Sequence, residues 1–129
     1  MSEKSIDLRW RDLDAYGHVN QAVYITFAEE VLDHWFQQKL GMRPGTVWDY
    51  VAARTTIEYR SELRLTDVRA VGSASLVRLG SKSVTATVTL AAPDGRVAAE
   101  IEMVVAVIDG KGGASRPLTE KEREALAAP

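Results

Sequence analysis

The segment from Asp12 to Asn20 concentrates the reactive side chains of this chain. Within nine residues it carries two carboxylates, Asp12 and Asp14, together with His18, Gly17 and the amide of Asn20. Carboxylates and histidine are side chains that commonly take up or donate protons in catalysis. The segment ends where a long helix is predicted to begin, and the N-terminus of a helix favours negative charge. If the protein is an enzyme, we expect its active site here.

Other chemistries require residues or spacings that this sequence does not offer. Asp12, Asp14 and His18 could bind a metal by residue type, but their spacing matches no established ligand pattern, so neither a metal nor a cofactor is expected. The chain has no cysteine, which excludes disulfides and thiolate chemistry and fits a reducing compartment. A nucleophile elbow for Ser-His-Asp catalysis and a glycine-rich phosphate loop after a strand are also missing.

Size and charge limit the class of protein. The 129 residues correspond to one domain, residues 1–129. The 16 basic residues are scattered among 18 acidic ones, so no nucleic-acid partner is expected. The longest apolar run, Met103 to Ile108, is far shorter than the roughly 20 residues of a membrane span. We therefore expect a soluble, cytoplasmic protein that does not bind a membrane.

The strongest predicted element is a helix from Gln21 to Leu40. Asn20 is its expected N-cap, and Gly41 is expected to end it in a left-handed conformation. Its apolar residues form two neighbouring stripes over more than half of the circumference, so the helix should be buried on most sides. The stripes are Val23, Phe27, Val31, Trp35 and Tyr24, Ala28, Leu32, Phe36, Leu40.

Most of the remaining sequence has the two-residue period of β-strands. Ile6 to Trp10 predicts a first strand, residues 42–50 predict a loop, and further strands are predicted within residues 55–60, 67–79, 84–90 and 97–107. Pro93-Asp94-Gly95 predicts a hairpin turn, and a capping box from Thr119 to Glu122 predicts a short C-terminal helix. One helix followed by uninterrupted strands favours an α+β fold, with a largely antiparallel sheet curled around the helix.

The motif Asp-x-x-Gly-His-Val-Asn at residues 14–20, followed by Tyr24 and the pair Glu29-Glu30, resembles the hotdog-fold acyl-CoA thioesterases. The closest branch is the 4-hydroxybenzoyl-CoA thioesterase-like family. Residues 57–59 and 63–68 extend the resemblance over nearly the whole chain, although Thr66 stands where family members often have glycine. The resemblance implies a homodimer or homotetramer whose substrate is an acyl-CoA or an acyl carrier protein thioester.

The resemblance also implies roles for individual residues. Asp14 corresponds to the catalytic carboxylate, acting as general base or nucleophile, and the backbone N–H of Gln21 corresponds to the oxyanion donor. A helix N-terminus suits that donor because its free N–H groups and dipole stabilise negative charge. His18 is expected to orient Asp14 or the thioester, whereas Asp12 is expected to be a solvated turn acid.

The substrate-binding residues implied by the resemblance come from both subunits of a dimer. Gly17, Asn20 and Tyr24 surround the catalytic turn, while Tyr59, Arg60 and Ser83 are expected to close the groove from the partner's strands. Contacts with the phosphates of coenzyme A require exposed cations. The candidates for those contacts are Arg54, Arg64, Arg78 and Lys82.

Two other functions are compatible with the same fold. A hotdog hydratase or dehydratase would usually space its Asp and His five residues apart or carry a His-Phe-Pro element, and neither occurs here. A non-catalytic protein that binds acyl thioesters would not need a usable carboxylate, whereas Asp14 is present. Thioester hydrolysis is therefore the leading prediction.

Overall fold

The computed structural model describes residues 3–129 and has an α+β architecture. One antiparallel sheet has the strand order β1-β3-β4-β5-β2 and curls around a long helix. The predicted fold class is confirmed, including the short C-terminal helix. The elements are β1 (Glu3–Asp7), α1 (Val23–Leu40), β2 (Tyr50–Tyr59), β3 (Arg69–Leu79), β4 (Ser83–Ala91), β5 (Val97–Val107) and α2 (Glu120–Ala127).

Helix α1 is buried along both predicted stripes and packs against β1, β3, β4 and α2. Gly41 ends it with φ 62°, as predicted. Charged residues, including Glu29, Glu30 and Asp33, occupy the rest of its surface. No helix within residues 3–129 is long and apolar enough to cross a membrane. The buried residues of α1 are Tyr24, Phe27, Ala28, Val31, Leu32, Trp35 and Phe36.

Gly72 allows α1 to lie close to β3. A Cβ atom built on Gly72 would be 2.2 Å from Cγ2 of Val31, a distance that side chains do not tolerate. Leu90 on the neighbouring strand would also be in tight contact, at 3.2 Å. The helix therefore sits directly on the backbone of β3, which fixes its height above the sheet.

Strands β4 and β5 supply the centre of the core through one face of each strand. Val84, Val88 and Leu90 are fully buried on β4, and Ile101 and Val105 are fully buried on β5. The alternation confirms the predicted one-sided strands over most of their length, although Thr85 and Ala98 on the opposite face are also buried. The strands are joined by a turn at residues 93–95, as predicted, in which the N–H of Ala92 donates to the carbonyl of Arg96 at 2.8 Å.

Three predicted boundaries are wrong. Strand β1 ends at Asp7 rather than Trp10, because Trp10–Asp12 forms a 3-10 turn closed by the Asp12 side chain. Helix α1 begins at Val23 rather than Gln21, since residues 21–22 form a separate turn. Strand β2 begins at Tyr50, within the predicted loop, and a bulge between Ala52 and Arg54 shifts its register on β5.

Glu122 anchors α2 to the body of the protein. Its carboxylate accepts hydrogen bonds from the Arg116 guanidinium at 2.8 and 2.9 Å, from the Thr119 N–H at 2.9 Å and from Trp48 Nε1 at 2.9 Å. The Glu122 N–H donates to Thr119 Oγ1 at 3.1 Å, which confirms the predicted capping box. These hydrogen bonds, with that of Arg116 the strongest, lower the pKa of Glu122 to about 2.

We predict that Glu122→Gln lowers the free energy of unfolding by about 2 kcal/mol at neutral pH, because charge-assisted hydrogen bonds are lost. Because folding lowers the pKa of Glu122, its ionised carboxylate stabilises the fold fully at pH values above its ordinary pKa of 4.5. This contribution is lost as the pH falls through about 2. Urea unfolding of both proteins between pH 7 and pH 2 measures the difference. The exposed Glu124→Gln variant is the control; an equal loss there would contradict the anchoring role.

Val68 has the one positive φ among the non-glycine residues 3–129, with φ 72° and ψ −45°. It follows the 3-10 turn Leu65–Asp67, and its carbonyl accepts the N–H of Leu8 at 2.9 Å. A β-branched residue is strained in this conformation, at a cost of about 1–3 kcal/mol. Because 58% of the residue's surface is exposed, little burial offsets this strain.

We predict that Val68→Gly raises the free energy of unfolding by about 1 kcal/mol, after allowance for the entropy that glycine adds to the unfolded chain. Val68→Ala is the matched control, because it also shortens the side chain but keeps the Cβ atom that opposes positive φ. Chemical denaturation of the two variants measures the difference. Equal stability of the two variants would show that the backbone at Val68 is unstrained.

Candidate active site

The predicted catalytic segment forms a tight turn that is closed by a short antiparallel pairing. Leu13 bridges Val19, and the N–H of Asp14 donates to the carbonyl of His18 at 2.8 Å. Gly17 closes the turn with φ 80°, a conformation in which a Cβ atom would be strained. That angle explains why glycine occupies this position of the turn.

Asp14 has one oxygen bound and one oxygen free. Oδ1 accepts the backbone N–H of Tyr16 at 2.9 Å and that of His18 at 3.4 Å. No residue between 3 and 129 donates a hydrogen bond to Oδ2. The turn therefore holds the carboxylate in place while leaving one oxygen available for a proton or for an acyl carbon.

Asp12, in contrast, is a buried structural residue. It is only 3% exposed, and both of its oxygens bind Arg9, with Oδ1 at 3.1 Å from the guanidinium and Oδ2 at 2.9 Å from the backbone N–H. The expectation of a solvated acid was wrong, because the 3-10 turn carries this side chain inward. The prediction that Asp12 belongs to a turn is confirmed.

The chain between the turn and α1 is held by hydrogen bonds on both sides of Gln21. The N–H of Asn20 donates to the carbonyl of Asp12 at 2.8 Å, and Oδ1 of Asn20 accepts the N–H of Ala22 at 2.9 Å. The expectation that Asn20 is the N-cap of α1 is wrong: Asn20 caps the turn that precedes α1, and Ala22 occupies the N-cap position without a side-chain hydrogen bond. Nothing in the described part of the chain accepts the N–H of Gln21.

Two tyrosines lie beneath Gln21. Tyr24 is buried, and its hydroxyl accepts the N–H of Leu63 at 3.2 Å. Burial is the main reason that the pKa of Tyr24 is raised. The Tyr59 ring packs edge-on against Tyr24 with centroids 5.2 Å apart, and its hydroxyl donates to the carbonyl of Gln21 at 2.8 Å.

The His18 ring contacts a charged pair rather than Asp14. Nε2 lies 3.1 Å from Oε2 of Glu62 and 3.2 Å from the Arg64 guanidinium, and these two residues are themselves paired at 2.9 Å. The ring can donate to Glu62 or accept from Arg64 according to its tautomer. The contact of His18 with Asp14 is made by its backbone.

These residues surround an open cleft of about 370 Å³. It brings together six of the nine residues predicted to form the site, and it adds Val19, Ser61 and Glu62, which sequence reasoning missed. Glu62 is 44 positions from His18, and no local sequence pattern predicts that it belongs to the site. The bridge between His18 and Arg64, which forms only in the folded protein, brings it to the cleft. The predicted members are Asp14, His18, Gln21, Tyr24, Tyr59 and Arg60.

Ser83 lies outside the cleft of its own chain. It pairs with Ala106 at one end of β5, whereas Tyr59 pairs with Ala99 near the other end. At about 3.4 Å per residue, the two positions are more than 20 Å apart along the sheet. Gly17 and Asn20 shape the turn beside the cleft without lining it.

A second cleft adjoins the first and is rich in arginine. Arg60, Arg64 and Arg96 line it together with Asp67, which binds Arg96 at 2.9 Å. The N–H of Arg64, and after it the Arg96 side chain, lowers the pKa of Asp67. Of the four cations predicted to contact phosphates, Arg64 lies here, and Arg54 lies instead beside Glu100 and Glu102 on the sheet surface.

The donor groups near the turn do not form a metal site. No group of three or more His, Asp or Glu side chains within residues 3–129 is arranged to hold a metal ion. Asp12 faces Arg9, and His18 faces Glu62 and Arg64, so the residues considered as ligands point to different partners.

The curled sheet around α1, with an acidic turn at the helix start, defines a hotdog-fold protein of the thioesterase type. The chain belongs to the thioesterase-like superfamily, whose family model matches residues 8–126. This match confirms the resemblance seen in the sequence. A comparison with curated proteins finds no significant match.

Solved structures of thioesterases share the fold. A thioesterase from Thermus thermophilus, crystallised with coenzyme A and zinc, is 30% identical, with a TM-score of 0.82 over 96% of this chain and 90% of its own. A gentisyl-coenzyme A thioesterase, BH1999, is 20% identical, with a TM-score of 0.84 over 98% and 100% of the two chains. A 1,4-dihydroxy-2-naphthoyl-CoA thioesterase from Synechocystis is 11% identical, with a TM-score of 0.77 over 96% and 93%. At the latter two identities the likeness concerns the fold alone.

Proposed function

We propose that the protein is an acyl-CoA thioesterase that hydrolyses an acyl thioester to a free acid and a thiol. The observation that carries the proposal is the shared cleft of Asp14 and Gln21, each with one uncommitted polar group. Oδ2 of Asp14 is an acceptor without a donor, and the Gln21 N–H is a donor without an acceptor. Hydrolysis of a thioester needs this pair of functions.

The reaction requires a nucleophile and a site for the charge that develops on the thioester carbonyl. Asp14 acts either as a general base, taking a proton from the attacking water, or as a nucleophile that forms an anhydride which water then cleaves. In both routes a C–O bond forms, the C–S bond breaks, and the thiolate leaves with the electron pair and takes up a proton. The Gln21 N–H, close to the positive end of α1, binds the oxyanion.

The surrounding residues orient these two groups and contact the substrate. Gly17 permits the turn in which Asp14 is held, and Asn20 fixes the helix start. His18 supports the turn through its backbone and, with its ring, contacts the charged side of the cleft. Tyr24, Tyr59 and Arg60 form the wall next to Gln21. The thiol that leaves is coenzyme A or an acyl carrier protein.

We further propose a homodimer, or a homotetramer built from such dimers, in which strand β2 pairs with its counterpart. Strand β2 lies at the sheet edge, spans 10 residues and is mostly exposed, with Val51 and Tyr59 about half exposed. A long exposed edge with apolar residues is normally covered by another strand. In such a dimer Ser83 of the partner subunit could reach the groove that it cannot reach in its own chain.

We predict that Asp14→Asn lowers kcat about 10² to 10⁴-fold, the range expected for loss of an acid–base group, with KM nearly unchanged. Thiol release from a panel of aliphatic and aromatic acyl-CoAs, followed with a chromogenic thiol reagent, measures the effect. The reagent background is low because the chain has no cysteine.

The matched control is Asp94→Asn. Asp94 forms the same local turn, since its Oδ1 accepts the N–H of Arg96 at 2.9 Å, but it lies on a hairpin outside the cleft. Full activity of Asp14→Asn would exclude the proposed chemistry. Binding of acyl-CoA without thiol release by the wild-type protein would favour the binding-protein or hydratase alternatives.

For the assembly, we predict that sedimentation gives a mass of at least twice the 14.2 kDa chain and that Val51→Lys dissociates the β2 pair, because lysine on an edge strand disfavours further pairing. Val77→Lys is the matched control, since Val77 is similarly exposed at 53% but lies on β3, which β4 and β5 separate from β2. A monomeric wild type, or dissociation by Val77→Lys alone, would rule out pairing at β2.

A further inference from the structure

The peptide group between Gln21 and Ala22 is held at both ends. Its carbonyl, from Gln21, accepts the Tyr59 hydroxyl at 2.8 Å, and its N–H, from Ala22, donates to Oδ1 of Asn20 at 2.9 Å. Because a peptide group is planar, two hydrogen bonds on opposite sides fix its orientation. Its position and plane are therefore set before any ligand binds.

The preceding peptide group carries the free Gln21 N–H and is flanked by fixed groups. On one side the N–H of Asn20 is bound to the carbonyl of Asp12 at 2.8 Å, and on the other side lies the clamped peptide. The carbonyl of this peptide group, from Asn20, itself accepts the N–H of Val23 at 2.9 Å, and the φ and ψ rotations at Asn20 and Gln21 connect it to the flanking groups. Holding the neighbours therefore restricts the direction in which the free N–H points.

Tyr59 is the member of this clamp that comes from another part of the fold. It lies at the end of β2, 38 positions from Gln21, and its ring is set by the edge-on contact with Tyr24. Tyr24 is in turn held through its hydroxyl by the N–H of Leu63 at 3.2 Å. The packed side chains of Tyr59 and Tyr24 thus connect the sheet to the start of the helix.

We infer that Tyr59 is a positioning residue for the oxyanion site, acting through the Gln21 carbonyl to orient the Gln21 N–H. The inference rests on the proposed hydrolysis and adds to it a role for a hydroxyl that lines the cleft. Preorganised donors contribute most of their effect when no reorganisation is needed during the reaction. Loss of the Tyr59 hydroxyl leaves the donor present and still held through the Asn20 carbonyl, but it widens the range of directions in which the N–H points.

The test is Tyr59→Phe, which removes the hydroxyl and keeps the ring that packs on Tyr24. We expect kcat for acyl-CoA hydrolysis to fall about tenfold, less than the roughly 10²-fold or greater loss that removal of an oxyanion donor itself causes. KM should change by less than about twofold, because the ground-state carbonyl depends little on the donor. The thermal midpoint should stay close to that of the wild type, since Tyr59 is 48% exposed.

Tyr50→Phe is the matched control for a merely structural tyrosine. Tyr50 begins the same strand, and its hydroxyl donates to Asp33, away from the cleft. This variant should lower the thermal midpoint and leave kcat unchanged, which is the opposite result from Tyr59→Phe. Amide hydrogen exchange gives a second readout that does not need turnover: the Ala22 N–H should exchange faster in Tyr59→Phe than in Tyr50→Phe.

The outcomes separate this inference from the proposed function. Wild-type hydrolysis that is lost in Asp14→Asn but retained in Tyr59→Phe would leave the thioesterase proposal standing and overturn the role of Tyr59. A fall in kcat at nearly constant KM, together with faster exchange at Ala22, would support the role. An inactive wild type whose Ala22 exchange does not respond to Tyr59→Phe would overturn both.

Discussion

Burial of the apolar stripes of α1 is the constraint on which the site depends. The helix lies directly on the backbone of β3, where Gly72 leaves room for Val31, and its side chains fill the space over β4. A helix packed at this density cannot slide along its axis without opening cavities or forcing overlap. Its first turn is therefore fixed relative to the sheet, and the cleft gains its precision from a core that contains no catalytic group.

Two groups in the cleft, one on Asp14 and one on Gln21, have the complementary hydrogen-bonding capacity that the proposed chemistry uses. Asp12 uses both carboxylate oxygens on Arg9, and Tyr24 is satisfied by Leu63, whereas Asp14 keeps one oxygen free and Gln21 keeps its N–H. Polar groups are normally paired when they are withdrawn from water, because an unpaired group costs stability. Asp14 and Gln21 face an open cleft, so water or a substrate supplies the missing partners of their unpaired groups.

Strand β2 connects the site to the assembly of the protein. Its last residue, Tyr59, holds the helix start, and the loop after it supplies Glu62 to the ring of His18. The same strand is one of the two edges of the sheet, so a partner that pairs with β2 would contact the strand that carries the cleft wall. The bulge after Ala52 sets the register of the whole strand on β5 and thereby decides which side chains face the helix.

The sequence by itself determined the elements and the family, because helix stripes, turn residues and capping boxes are signals between near neighbours. It located the turn at residues 14–18, the helix end at Gly41 and the capping box at Thr119. It could not determine which side chains meet across long separations, since these contacts depend on strand register and on how the curled sheet meets the helix. Only the tertiary structure buried Asp12, paired His18 with Glu62 and separated Ser83 from the cleft. The bond between Tyr59 and Gln21 was likewise decided there, because it joins two elements whose contact no local sequence pattern encodes.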